Sequence, residues 1–173
     1  MMLVVLFIAI IVSDQVTKSW VLSAFSLGSL QPVIPGFFDL TLVLNPGAAF
    51  GMFSGMPDTQ RRIVLASVSL IALLVIGRLL LEDAKRDSVA RVALIVVLAG
   101  AIGNMIDRLR FDAVVDFFLL YYRDYHFPAF NIADSAISVG VTLLVWRIVF
   151  PPKELVKQGA MPVEGFPSAP KAE

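Results

Sequence analysis

The sequence predicts an all-α membrane protein: four transmembrane helices, with a small extracytoplasmic loop of β character and an interfacial aromatic segment. Three observations lead there. Of 173 residues, 58% are hydrophobic and 16% charged, against the ~25% charge usual in soluble domains. The apolar residues gather into four runs, residues 2–24, 63–81, 92–109 and 132–150, each close to the ~20 residues that cross hydrocarbon. Two of the three connections are long, one rich in proline and glycine and the other in aromatics.

The first run could pass for a secretory signal, but it has no basic start. Asp14, Gln15 and Lys18 interrupt it where cleavage would fall, so it is expected to remain as a span. The connection 28–62 holds Pro32, Pro35, Gly36 and Pro57. Within it, the alternation Phe38-Asp39-Leu40-Thr41-Leu42 predicts a short strand, and Asn45-Pro46-Gly47 predicts a turn. The connection 81–91 is short and charged, as a cytoplasmic turn would be. Segment 110–130 carries Phe117, Phe118, Tyr121, Tyr122, Tyr125, Phe127 and Phe130, a density suited to the membrane–water interface, where His126 also belongs. Residues 1–150 read as one membrane domain and residues 151–173 as a disordered cytoplasmic tail. Basic residues favour cytoplasmic termini: Arg78, Lys85, Arg86, Arg91, Arg147, Lys153, Lys157 and Lys171 lie on one side. Lys18, Arg61, Arg62, Arg108, Arg110 and Arg123 lie on the other.

Composition removes several function classes. Fourteen basic and 14 acidic residues cancel, so no nucleic-acid partner is expected. With no cysteine and one histidine, neither thiol chemistry nor a zinc centre is expected, and no metal or other cofactor is assigned. No Gly-x-Ser-x-Gly elbow occurs, and Lys18 points away from its neighbours Ser13 and Ser19.

What remains is acidic. Carboxylates are costly in hydrocarbon and mark functional interiors. Asp14 shares a helix face with Thr17 and Lys18; Asp107 shares one with Gly100, Gly103 and Asn104; Asp134 shares one with Asn131, Ser135, Ser138 and Thr142. Three polar stripes are expected to converge on one interior. Asp116 follows in the apolar run 114–118. Two aspartates held close share one proton, so one can activate water as base while the other acts as acid. Asp116 and Asp134 flank the outer interface and suit this best. Asp107 competes for the role, but adjacent Arg108 offers it a cationic partner and a structural function. The stripes also have plainer uses: glycines for close packing, Asn131 and Asp134 as a helix cap, Asn45 as a cap of its own turn.

Five motifs in order carry a family resemblance: Asp14-Gln15-Val16-Thr17-Lys18, Asn45-Pro46-Gly47-Ala48-Ala49-Phe50-Gly51, the run 100–108, Val115-Asp116-Phe117 and Phe130-Asn131-Ile132-Ala133-Asp134-Ser135. Together they resemble the lipoprotein signal peptidases (signal peptidase II), aspartic proteases of the bacterial inner membrane. The resemblance implies removal of a prolipoprotein signal peptide by cutting before a diacylglyceryl-modified cysteine. It implies a site near the periplasmic leaflet, contact with membrane lipid, and inhibition by globomycin. It matches Asp116 and Asp134 to the catalytic pair. Asn104, Asp107, Arg108 and Asn131 match supporting positions, and Asp14, Lys18 and Asn45 match other polar motif positions, Asn45 being expected to hydrogen-bond the substrate backbone near the scissile bond. Ala99 departs from a common glycine, which touches packing only. The rival reading is a small proton- or ion-coupled transporter using buried aspartates.

Overall fold

The structure, a computed structural model, describes residues 1–47, 55–82 and 87–151. In chain order its elements are α1 (Met2–Ala24), β1 (Leu30–Ile34), β2 (Phe38–Asn45), α2 (Asp58–Glu82), α3 (Ser88–Phe111), β3 (Val114–Tyr122), β4 (Tyr125–His126) and α4 (Ile132–Val149). All four helices are long and apolar enough to cross a membrane. Two begin earlier than hydropathy places them, because their first turns are polar. Asp58 opens α2, and the Asp87 carboxylate caps α3 by accepting from the N–H groups of Val89 (2.9 Å) and Ala90 (3.2 Å). Asp87 also takes Arg147 Nε at 2.7 Å, tying the start of α3 to the last turn of α4.

The helices are not equivalent. Forty-four per cent of the most apolar stretch of α3 is buried inside the protein, against 6% for α2. So α3 is the centre of the bundle, while α2 turns Ile63, Leu70 and Leu74 outward, where only hydrocarbon would receive them without cost. Glycines let α3 close on its neighbours. A Cβ at Gly100 would run into the Ala133 carbonyl oxygen of α4, and one at Gly103 would lie 2.7 Å from Asp14 Oδ2 of α1. Gly103→Ala is therefore expected to lower stability by about 1–3 kcal/mol, seen as a lower melting temperature in detergent.

The β component is larger than the one short strand expected. It is a four-stranded antiparallel sheet in the order β1-β2-β3-β4, and the aromatic segment supplies β3 and β4. The β2–β3 register pairs Leu40 with Phe118, Val43 with Asp116 and Asn45 with Val114, with an irregularity between Leu40 and Val43. Val115 and Phe117 pack with Leu42 against Val21 of α1. Asp116 between them turns to the opposite face, as the two-residue period requires. Tyr121 Oη donates to buried Asp39 (3.1 Å) and accepts from Gly36 N (3.0 Å), binding the β1–β2 turn to β3. His126 is exposed, as expected, and stacks on Tyr121.

Candidate active site

Lys18 organises the interior. Its Nζ lies 2.9 Å from Asp14 Oδ2, 2.7 Å from Asp107 Oδ2 and 3.0 Å from Asn104 Oδ1, so all three ammonium donors are used. All four residues are buried. The cation that pairs with Asp107 is thus Lys18 and not Arg108. Consecutive helical residues point about 100° apart, so a side chain beside Asp107 in sequence cannot share its direction. The Arg108 guanidinium instead reaches the Asn104 carbonyl at 3.5 Å and faces a cavity.

The same carboxylates bind four elements together. Asp14 Oδ1 accepts from Ala133 N of α4 at 2.9 Å, and Asp107 Oδ2 accepts from Val115 N of β3 at 3.1 Å. Gln15, which the sequence did not single out as a site residue, donates from Nε2 to Asp14 Oδ2, Asp107 Oδ1 and the Gly103 carbonyl. Its i+1 position gave no periodic signal that would single it out.

Above this cluster is a cavity of about 580 Å³, lined by Asp116 and Asp134 and by Asn45, Asn104, Arg108 and Phe130, among others. The two aspartates arrive from different elements, β3 and α4, and three asparagines hold them. Asn131 Nδ2 donates to Asp116 Oδ1 (2.7 Å) and Asn45 Nδ2 to Asp116 Oδ2 (3.1 Å). Asn104 Nδ2 donates to Asp134 Oδ1 (2.7 Å), and Asn131 N donates to Asp134 Oδ2 (3.3 Å). Every amide orientation is settled by its other end. Asn45 Oδ1 accepts from Gly47 N (3.0 Å), Asn131 Oδ1 from Asp134 N (2.8 Å), and Asn104 Oδ1 from Lys18. Among the described residues the hydrogen-bond partners of both aspartates are donors, an environment for at least one negative charge.

Asn131 and Asp134 form the capping box expected of them, and both also belong to the cavity framework. Likewise Asn45 caps its own turn with its oxygen while its nitrogen holds Asp116. Both of its polar ends are engaged within the protein. The polar stripes converge less completely than expected. Thr17 Oγ1 donates back to Ser13 O and Asp14 O, and Thr142 Oγ1 to Ser138 O, so both serve their own helices. Ser135 and Ser138 do line the cavity. Motif residues Ala48, Ala49, Phe50 and Gly51, and the tail from residue 152, lie outside the described residues.

Burial, and then the nearby charge of Asp134, push the Asp116 carboxyl up from 3.8 to about 7. The unfolded chain releases this proton near pH 4 while the folded chain keeps it to about 7. Stability should therefore fall as pH rises through that window and level off above it. Asp116→Asn removes the titrating group, so its melting temperature should fall less than wild type between pH 4 and 7. Parallel pH–stability curves for the two proteins would contradict the shift.

The family model described as Signal peptidase (SPase) II matches residues 6–150. The chain belongs to the signal peptidase II family. The lipoprotein signal peptidase of Syntrophus aciditrophicus is 46% identical over 145 residues, covering 84% of this chain and 90% of that one. That of Neisseria meningitidis is 45% identical over 142 residues, covering 82% and 85%. A solved bacterial membrane enzyme superposes with a TM-score of 0.78 at 32% identity, covering 86% of this chain and 87% of that chain. As a signal peptidase II, the protein is a protease of lipoprotein processing, and its four apolar helices make it a multi-pass membrane protein.

Proposed function

We propose that this signal peptidase II cuts prolipoproteins on the N-terminal side of a diacylglyceryl-modified cysteine, with Asp116 and Asp134 as its catalytic pair. The observation that carries this reading is that two carboxylates from separate elements line one cavity, each held by amide donors. Asp134 sits in the first turn of α4, where the helix dipole and the capping N–H favour negative charge. Asp116, raised to about 7, keeps its proton near neutrality. Asp134 then takes a proton from water as the water oxygen bonds to the scissile carbonyl carbon, and Asp116 gives its proton to the carbonyl oxygen. Collapse of the tetrahedral diol transfers a proton to the amide nitrogen, breaks the C–N bond and returns the carboxyls to their starting states.

The cavity wall includes Ile137, Ser138 and Val139 on the flank of α4. A substrate can enter there sideways from lipid while its acyl chains, at ~0.8 kcal/mol per buried CH₂, stay in the bilayer. The proposed setting is the bacterial inner membrane, with both termini cytoplasmic and the cavity near the periplasmic face. Globomycin would compete for the same cavity. The testing experiment incubates purified protein in detergent with lipidated and unlipidated prolipoprotein. Cleavage of the lipidated form alone, without any ion gradient, is expected; no cleavage of either, or equal cleavage of both, would overturn the proposed substrate. The same assay should be indifferent to EDTA, because proton sharing between carboxylates needs no cation. Loss of activity with EDTA and its return with a divalent ion would replace the acid–base mechanism with a metal-assisted one.

A further inference from the structure

Two carboxylates already neutralise Lys18, yet its third donor goes to Asn104. An ammonium has donors only, so the Asn104 atom 3.0 Å from Nζ is oxygen; Asn131 Nδ2, at 3.3 Å from the same atom, agrees. The planar amide then directs its NH₂ group at Asp134 Oδ1, 2.7 Å away. Turned over, it would set oxygen against oxygen, an arrangement acceptable only to a protonated Asp134 that cannot accept a proton from water.

We propose that Lys18 is a positioning residue for the peptidase reaction. Acting through Asn104, it keeps an N–H donor on Asp134 and so holds that carboxylate ready to receive the proton of water. The proposal rests on the catalytic-pair reading above. The charged groups acting on Asp134 are Asp14 and Lys18 from α1, Arg108 from α3 and Asp116 from β3, while Asp107 of α3 reaches it only through Lys18. Asp14, Lys18 and Asp107 carry a formal charge of −1 together. Through space Lys18 attracts and Asp14 repels a negative charge on Asp134, so the part of Lys18 that acts through the hydrogen bond is the part that vanishes once Asn104 is gone.

That division suggests the test. Lys18→Met combined with Asp107→Asn keeps the formal charge of the cluster at −1 while it removes the nearer of the two donors to Asn104 Oδ1, along with both ion pairs of Lys18. The acid limb of the kcat–pH profile, measured with lipidated peptide in detergent, should move to higher pH by about one unit, the size of one charge-assisted hydrogen bond. Asn104→Ala should move it similarly, and adding the double change to Asn104→Ala should move it no further. Asp87→Ala, which loosens the far ends of α3 and α4, should lower the melting temperature without moving the limb. An acid limb unmoved in the double variant, or shifts that add in the combined variant, would overturn the proposal. Should the double variant not accumulate folded, an unmoved limb in Asn104→Ala overturns it equally. Asp134→Asn separates the two levels: if it keeps turnover, the pair itself is misassigned and the proposal goes with it. An inactive Asp134→Asn beside an unmoved limb removes the role of Lys18 alone.

Discussion

Asp116→Asn and Asp134→Asn should each lose turnover by about 10²–10⁴-fold or more, while each protein still inserts and melts cooperatively. Asparagine keeps the shape and one of the two accepted hydrogen bonds described at each position, but can neither take a proton from water nor deliver one. As the proposed catalytic pair they would act as a unit, so the double variant should be little worse than either single. Single-turnover cleavage of a lipidated peptide, with circular dichroism on the same samples, is the measurement. A folded variant at either position that keeps substantial turnover would remove that residue from the chemistry. Asp116 carries the more exposing test, because its partners Asn45 and Asn131 come from outside its own strand.

Asp107→Ala should be strongly destabilising. It takes one of two counter-charges from a Lys18 that is 2% exposed, and it leaves Val115 N without its acceptor. Breaking a buried pair by removing one member costs about 3–5 kcal/mol. Asp107→Asn should cost less, since its Oδ1 still accepts from Val115. Thermal denaturation in detergent reads both. Wild-type stability with abolished turnover in Asp107→Ala would instead make Asp107 a participant in the chemistry.

The strand character of residues 114–122 illustrates what the sequence hid. Val114-Val115-Asp116-Phe117-Phe118 has no alternation, because the strand is covered on both faces, by the core around Val21 and by the cavity. Its partner β2 lies some 75 residues earlier, Val43 opposite Asp116, and pairing at that separation leaves no local trace. The interfacial reading of the aromatics came from composition alone, and it described their exposure at Tyr122 and Tyr125 but not their hydrogen bonding. Asp107 and Arg108 show the opposite fault: nearness in sequence suggested a pair that helix geometry forbids.

Membrane spans and the family were legible from the chain by itself, since hydropathy is a local sum and the motifs are strings of adjacent residues. The polar faces on α1, α3 and α4 were legible too, because 3.6 residues per turn fixes which side chains align. Which faces meet was not. Only the folded chain brought Lys18 between Asp14 and Asp107, sealed Asp107 away from the cavity, and set Asp116 beside Asp134. The reason is physical. A buried charge must find its counter-charge wherever packing brings one, and here the glycines of α3 let α1 and α4 come close enough to supply it.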